Sequence, residues 1–176
     1  MSHRPRISVF IATSLDGLIA TTDNSLEWLE SAVGEGEDYG YTAFMAGIDS
    51  LAMGRGTYNF IAPMDPLPFG KRPLFVFTRD TEISREGVKF TTMTPTEAVE
   101  DWTRRELKHV YLDGGKLISS FVKLDLVDDM TITRVPVILG TGLPLFQQGF
   151  GPLAFTLDTS NAWPSGVISQ KYSRIR

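Results

Sequence analysis

Short apolar runs alternate along the chain with segments of helical periodicity. The apolar runs are rich in Val, Ile, Leu and Phe and lead into Gly, Asp or Thr, which is typical of buried strands followed by turns. Continuous runs of this kind indicate strands covered on both faces, as in a parallel sheet. The predicted strands are residues 7–12, 51–53, 74–77, 88–91, 109–112 and 130–139.

Helical spacing of apolar residues predicts helices over residues 39–48, 95–107 and 116–124. The clearest helix start is Thr94, which can act as the N-cap with proline at the first helical position. Glu97 stands where it can complete a capping box with Thr94. Strand 109–112, a glycine turn and helix 116–124 follow one another, and this order forms half of a nucleotide-binding unit.

The C-terminal part of the chain contains two extended segments, residues 155–159 and 167–175. Only a short connection separates them, so we expect them to pair antiparallel at an edge of the sheet. The summed pattern predicts an α/β fold, a mostly parallel sheet with helices on both faces and an antiparallel edge. With 176 residues, no repeat and no linker, the chain is expected to form a single domain over residues 1–176.

Composition excludes several classes of function. The chain has no cysteine, which removes disulfides, thiolate nucleophiles and cysteine zinc sites, and its two histidines are His3 and His109. A net charge of −4 argues against a nucleic-acid binder with a broad basic surface. No stretch approaches the roughly 18 apolar residues of a membrane span. We therefore expect a cytoplasmic protein without a metal.

Three turns follow predicted strands, and each carries a cation or a hydroxyl. They are residues 53–58, 78–79 and 113–116, and their cations are Arg55, Arg79 and Lys116. At the carboxyl ends of parallel strands, glycine lets the backbone approach a phosphate, and arginine can contact it through two hydrogen bonds. A single turn of this kind is more simply a tight turn with a solvated cation. Three together favour a phosphate-rich ligand such as a dinucleotide.

Residues 34–40 (GEGEDYG) superficially match a dinucleotide fingerprint. Their spacing is one residue too long, no strand precedes them, and their acidic residues would repel a diphosphate. They are interpreted as a flexible acidic loop. Residues 140–142 (GTG) form a better turn but lack a cation, so they can approach a ligand only through the backbone.

Asp38 stands at the start of the predicted helix 39–48 and has two interpretations. Aspartate is a preferred N-cap residue, which is the simpler account. The alternative places the Asp38 carboxylate at the floor of a pocket lined by Leu15, Tyr41, Phe44 and Met45. There it could hold an aminopyrimidine-type ring through paired hydrogen bonds and organise proton delivery. The two accounts are compatible.

Several other candidate residues also have both a structural and a functional interpretation. Trp28 could cover the pocket, although a tryptophan on a short amphipathic segment is more often packing. Asp16 could touch a substrate, but an aspartate before glycine is an ordinary turn residue. Lys71 and Arg72 are surface charges or an anion clamp for an acidic substrate tail. His109 is most simply the residue that begins a strand.

Five motifs in this order resemble the dihydrofolate reductase-like superfamily. Within it, the most similar branch is the C-terminal reductase domain of the bifunctional riboflavin biosynthesis protein. The resemblance covers nearly the whole chain, and the five motifs together are quite specific. They are residues 14–20 (SLDGLIA), 53–58 (MGRGTY), 77–79 (FTR), 113–115 (DGG) and 135–142 (VPVILGTG).

The resemblance implies an NADPH-dependent reductase with a three-layer α/β/α fold and a mostly parallel sheet of about eight strands whose last strand is antiparallel. Thr78 and Arg79 match the loop that reads the 2′-phosphate, which implies NADPH rather than NADH. The whole implied cofactor set is Ala12, Ile19, Gly54, Arg55, Thr57, Thr78, Arg79, Gly114, Gly115, Lys116 and Leu117.

For the substrate, the resemblance implies Asp38 as the active-site carboxylate, because it lies at the same distance before Gly54 as in bacterial folate reductases. Thr133 matches the strand hydroxyl beside that carboxylate, and together with the candidates Asp16 and Trp28 it forms the expected substrate-binding set. Folate reductases carry a Leu-Pro-Trp turn shortly before the carboxylate, and this chain departs from that pattern. Trp28 has no preceding proline, and the acidic residues 30–37 separate it from Asp38.

Residues 14–20 are closer to the riboflavin branch, whose substrate is a phosphoribosylamino-pyrimidine. The leading hypothesis is therefore hydride transfer from NADPH to a small pyrimidine- or pteridine-like substrate. The rival is a non-catalytic NADP-binding sensor or scaffold of the same fold. A homodimer is compatible with the resemblance.

Overall fold

The structure is a computed structural model that describes residues 4–80 and 83–176, so His3 lies outside the described part. Its strands are β1 (Arg6–Thr13), β2 (Leu18–Ala20), β3 (Ser50–Gly54), β4 (Leu74–Phe77), β5 (Val88–Thr91), β6 (His109–Asp113), β7 (Asp129–Arg134), β8 (Leu143–Pro144), β9 (Phe155–Ala162) and β10 (Ile168–Arg174). Its helices are α1 (Glu27–Glu30), α2 (Tyr41–Ala46), α3 (Arg55–Ile61), α4 (Pro95–Arg104) and α5 (Gly115–Lys123).

Eight strands form one sheet in the order β5-β4-β3-β6-β1-β7-β10-β9. The six strands from β5 to β7 in this order pair in parallel, whereas β10 runs antiparallel to both β7 and β9. The predicted α/β class, the mostly parallel sheet and the antiparallel C-terminal pair are confirmed. Strands β2 and β8 form a separate antiparallel pair.

Helices cover both faces of the sheet because successive strand residues point to opposite sides. On β3, Ala52 packs into the core beneath α4 and α5, whereas Leu51 and Met53 pack into the core beneath α2 and α3. The first core is centred on Trp102, which is fully buried and stacks on Phe121 with ring centroids 5.7 Å apart. The result is the expected three-layer arrangement.

Helix α4 begins as predicted. The Thr94 hydroxyl accepts a hydrogen bond from the Glu97 backbone N–H, and the Glu97 carboxylate accepts one from the Thr94 backbone N–H. This capping box satisfies two backbone donors at the helix start. The helix ends at Arg104, three residues before the predicted end at residue 107, and Glu106 adopts a left-handed conformation with φ of 58°.

Other predicted bounds are also wrong, and at two of them the backbone gives the reason. The strand expected over residues 130–139 ends at Arg134, because Val137 N–H donates to the Val135 carbonyl and closes a tight turn around a proline that has no N–H. The helix expected over residues 39–48 begins only at Tyr41, because Tyr39 and Gly40 have left-handed φ values of 56° and 88°.

Candidate active site

Three sequence-predicted turns meet at one edge of the sheet. Strand β3 lies between β4 and β6. Gly54 of β3 pairs with Phe77 of β4, and Met53 of β3 pairs with Asp113 of β6. Because all three strands are parallel, their carboxyl ends point to the same edge. Helix α3 starts directly after β3 and α5 starts directly after the turn at Gly114. Arg55 and Lys116 therefore lie in the first turns of helices that begin at this edge.

A cavity of about 740 Å³ opens at this edge. Its walls come from β1, β6, the starts of α3 and α5, and the segment around α1. Nine of the eleven residues expected to contact a cofactor line it: Ala12, Ile19, Gly54, Arg55, Thr57, Gly114, Gly115, Lys116 and Leu117. The structure thus brings together residues that are as far as 105 positions apart in the sequence.

The two helices that start at the cavity have glycine N-caps. Gly54 caps α3 and Gly114 caps α5, and neither helix start receives a side-chain cap hydrogen bond. Helix α4, which starts elsewhere, carries a complete capping box. The first backbone N–H groups of a helix have no partner within the helix, and an anion can satisfy them. Together with Arg55 and Lys116, these helix starts can hold phosphate groups.

Close backbone packing shapes this end of the cavity. Gly114 has φ of 93°, and a Cβ there would lie 2.6 Å from Thr57 Oγ1. A Cβ on Gly115 would lie 2.8 Å from the Pro144 carbonyl oxygen and 2.9 Å from Ile19 Cδ1. Glycine at both positions lets the turn before α5 lie against α3 on one side and against β2 and β8 on the other.

Thr78 and Arg79, the remaining two expected cofactor residues, follow β4 beside this cavity but do not line it. The Thr78 hydroxyl accepts a hydrogen bond from the Asp80 backbone N–H, and Arg79 is exposed. Arg55 Nη1 lies 3.9 Å from Asp80 Oδ2, which places the loop after β4 next to the first turn of α3. An extended ligand lying on α3 could reach Arg79 from the cavity.

Asp113 is a carboxyl group in the cavity wall. Burial raises its pKa from the ordinary 3.8 to about 6, although the Gly114 backbone N–H donates to Asp113 Oδ1 at 2.8 Å and opposes this shift. From the sequence it is only a turn residue before two glycines. Its position at the carboxyl end of a buried strand, where ligands bind in parallel sheets, is the signal that could identify it. It can hold or release a proton near neutral pH.

A set of large apolar and aromatic side chains also lines the cavity. They come from β1, α1, α3, β6 and the residue before α1, and we call them the ring wall: Phe10, Leu26, Leu29, Phe60 and Tyr111. The Tyr111 hydroxyl donates to the Phe10 carbonyl at 2.9 Å, so its polar atom is already used within the protein. The ring wall therefore presents mainly carbon to the cavity.

Asp38 lies outside this cavity. Its exposed carboxylate accepts hydrogen bonds from the backbone N–H groups of Gly40, at 3.0 Å, and Thr42, at 3.1 Å. These bonds lower its pKa. Asp38 is not the N-cap itself, which is Gly40, but through Thr42 its carboxylate satisfies a backbone N–H in the first turn of α2. Asp38 is not among the residues that line the cavity, so the pocket-floor interpretation is not supported.

The three residues expected to bind substrate also lie outside the set that lines the cavity. Asp16 accepts hydrogen bonds from Ser14 Oγ and from the Leu139 and Gly140 N–H groups, and the Ser14 bond contributes most to lowering its pKa to about 2. Trp28 belongs to α1, between the cavity residues Leu26 and Leu29. Thr133 is buried, with its Oγ1 3.3 Å from Ser169 Oγ.

Two further expectations are settled by contacts. Arg72 is not an anion clamp, because its guanidinium donates to the carbonyls of Ile48, Phe69 and Met45. His109 does begin β6, and its Nε2 lies 2.7 Å from Ser8 Oγ. Within the described residues, no group of three or more metal-ligating side chains occurs, and no helix is long and apolar enough to cross a membrane.

Comparison with known proteins gives one family. The model of the RibD C-terminal domain matches residues 5–169. Among curated proteins, the chain is 34% identical over 143 residues to the uncharacterized protein YwjB of Bacillus subtilis, covering 80% of this chain and 82% of that one. Among solved structures, a candidate riboflavin biosynthesis protein from Shewanella sp. PV-4 superposes with a TM-score of 0.89 at 34% identity, covering 97% of this chain and 99% of that one.

More distant structures share the fold. A pyrimidine reductase-like protein from Corynebacterium diphtheriae has a TM-score of 0.72 at 18% identity, with 98% of this chain and 92% of that chain covered. A diaminohydroxyphosphoribosylaminopyrimidine deaminase/5-amino-6-(5-phosphoribosylamino)uracil reductase from Thermotoga maritima has a TM-score of 0.74 at 17% identity, and the match covers 98% of this chain and 57% of that one. The reductase-like fold is thus common to this chain and to these proteins.

Proposed function

Because this chain belongs to the RibD C-terminal domain family, we propose that it is an NADPH-dependent reductase of a small ring compound. The observation that carries the proposal is a cavity where two helix starts without side-chain caps, two cations and a half-buried carboxyl group meet. The first two features suit a dinucleotide phosphate, and the third suits proton transfer to a substrate.

The residues at the helix starts fit the phosphates of NADPH. The first turns of α3 and α5, which follow Gly54 and Gly114, have backbone N–H groups without a side-chain cap, and Arg55 and Lys116 add positive charge beside them. In this proposal Arg79, at the rim beside α3, contacts the 2′-phosphate. When bound, NADPH supplies a hydride from its nicotinamide ring.

Asp113 holds the proton that the reaction needs. Asp113 would donate this proton to the nitrogen or oxygen of a substrate C=N or C=O bond whose carbon receives the hydride and its electron pair, so that the double bond would become single. Water then returns a proton to the Asp113 carboxylate. A pKa of about 6 suits this role, because both protonation states are accessible near neutral pH. The ring wall would position a flat substrate beside Asp113, and the bound substrate would displace water from this point.

The cofactor assignment is tested by titrating NADPH and NADH separately and following nicotinamide fluorescence. We expect NADPH to bind more tightly, and Arg79→Ala to weaken NADPH by about tenfold or more while changing NADH little, because the lost contact is with the 2′-phosphate. Arg104→Ala is the matched control, since Arg104 is an exposed arginine on α4 that pairs with Asp101. Equal affinity of the wild type for both cofactors contradicts the assignment.

Turnover distinguishes a reductase from the alternative, a non-catalytic NADP-binding sensor or scaffold of the same fold. A protein that binds NADPH tightly and oxidises it with no compound in a panel of small ring substrates would instead be a binding or sensor protein. A reductase oxidises NADPH in the presence of its substrate, and Asp113→Asn removes most of that rate.

A further inference from the structure

Arg55 is the cavity cation at the start of α3, and two neighbouring side chains face its guanidinium group. Its Nε donates a hydrogen bond to Asn59 Oδ1 at 2.9 Å, one helical turn further along α3. Its Nη1 lies 3.9 Å from Asp80 Oδ2, in the loop after β4. A negative charge therefore stands beside the arginine that the proposed function assigns to the cofactor phosphates.

Backbone contacts fix the loop that carries Asp80. The Thr78 backbone N–H donates to the Thr91 carbonyl at 2.9 Å, which joins the residue after β4 to the last residue of β5. The Thr78 hydroxyl in turn accepts a hydrogen bond from the Asp80 backbone N–H at 3.1 Å. These contacts hold the backbone of Asp80 where its carboxylate can reach Arg55.

The fold gains little from the pairing of Arg55 with Asp80. The distance of 3.9 Å exceeds that of a hydrogen bond, and the two side chains are 37% and 58% exposed. Exposed ion pairs of this kind contribute little to stability. The carboxylate does, however, cancel part of the positive charge that Arg55 offers to an anion. The effect of Asp80 is therefore expected in ligand binding rather than in folding.

The cost of this carboxylate depends on the charge of the cofactor. NADPH carries a 2′-phosphate with a charge of about −1.5 to −2 at neutral pH, whereas NADH carries an uncharged hydroxyl group at that position. In the proposed function Arg79, the residue directly before Asp80, contacts the 2′-phosphate. A carboxylate can accept a hydrogen bond from a ribose 2′-hydroxyl but repels a phosphate at the same place. Arg79 and Asp80 therefore act in opposite directions on the choice of cofactor.

Resting on the proposed function, we infer that Asp80 is a specificity-determining residue that limits the preference for NADPH over NADH. Its carboxylate weakens the binding of phosphate at Arg55 and Arg79, and the penalty is largest for the cofactor with the additional phosphate. Arg79 outweighs this penalty, so a preference for NADPH remains, but it is smaller than these two cations alone would give.

Fluorescence titration of NADPH and NADH into the wild type and Asp80→Asn tests this inference. Asparagine keeps the size of the side chain and removes its charge. We expect Asp80→Asn to bind NADPH about three- to tenfold more tightly and NADH at most about twofold more tightly, so that the ratio of the two dissociation constants increases. The gain should shrink between about 50 mM and about 500 mM salt, because salt screens exposed charges.

Two further variants serve as controls. Asp80→Glu keeps the negative charge and should keep the wild-type ratio of the two dissociation constants. Glu100→Gln removes one negative charge from an exposed position on α4, outside the cavity lining, and should change the affinity for neither cofactor. An equal increase of the ratio in Glu100→Gln would show that net charge rather than the position of Asp80 is responsible, and would overturn the inference.

The outcomes separate this inference from the proposed function. If the wild type binds NADPH and Asp80→Asn leaves the ratio unchanged or lowers it, the inference is wrong and the cofactor assignment stands. If NADPH does not bind to the wild type, the proposed function is wrong, and calorimetric titration with inorganic pyrophosphate tests Asp80 by itself. Asp80→Asn should then bind pyrophosphate at least about threefold more tightly than the wild type. Equal affinity, or no binding to either protein, overturns the inference as well.

Discussion

Ionisation of Asp113 is expected to lower the free energy of unfolding. Its pKa is about 6 in the folded chain and 3.8 ordinarily, so between these pH values the folded state keeps a proton that the unfolded state has released. Stability is therefore expected to fall as the pH rises from about 4 to about 6, and to remain lower above that range.

The variant Asp113→Asn removes this loss. Its free energy of unfolding at pH 7.5 should exceed that of the wild type by about 1–2 kcal/mol, a value reduced for solvent in the open cavity, and the difference should vanish near pH 4. Urea unfolding at both pH values measures it. Glu100→Gln, at an exposed carboxylate of α4, is the control. A pH-independent difference would show that burial of the Asp113 charge is not the cause.

Asp38 and Asp113 are expected to have different roles, the first structural and the second catalytic. The Asp38 carboxylate accepts hydrogen bonds from the backbone N–H of Gly40, just before α2, and of Thr42, in the first turn of α2. Asp38→Asn should lower the melting temperature slightly, because the single amide oxygen of asparagine can replace only one of the two carboxylate acceptors. NADPH affinity should stay within about twofold of the wild type, because Asp38 does not line the cavity. A large loss of turnover in Asp38→Asn with intact Asp113 would return the catalytic role to Asp38.

At the scale of elements, the turn between β6 and α5 leaves no room for a side chain at Gly114. Gly114→Ala forces a Cβ to within 2.6 Å of Thr57 Oγ1 at a left-handed φ. The expected cost is about 1–3 kcal/mol of unfolding free energy, together with weaker NADPH binding. Chemical unfolding and fluorescence titration measure the two effects. Gly151→Ala, with open space around the added Cβ, should show neither, and a neutral Gly114→Ala would contradict the packing described.

Elements were predictable where local sequence determines them. Strands β4 and β5 begin and end at the predicted residues, and the start of α4 follows from its capping box. Helix α3 is absent from the sequence prediction because it begins Arg55-Gly56, and glycine is a poor helix former. Strands β2 and β8, with three and two residues, are too short to carry a periodic pattern.

At the scale of the whole molecule, the site depends on contacts that local patterns do not contain. The turns at Gly54 and Gly114 could be predicted, since each follows a buried strand, and parallel strands direct both to one edge. The cavity environment of Asp113 could not, because its burial depends on segments near residues 10, 26 and 60. Likewise, the backbone carbonyls that accept hydrogen bonds from Arg72 belong to residues up to 27 positions away in the sequence. A homodimer and a cytoplasmic location stay predictions.

A crystal structure of the protein with bound NADP⁺ tests the central claim most directly. The account predicts the diphosphate against the first backbone N–H groups of α3 and α5, the 2′-phosphate at Arg79, and the nicotinamide ring between Ala12 and the ring wall, within reach of a substrate on Asp113. A cofactor bound away from the cavity, or one whose nicotinamide ring points away from Asp113, would contradict it.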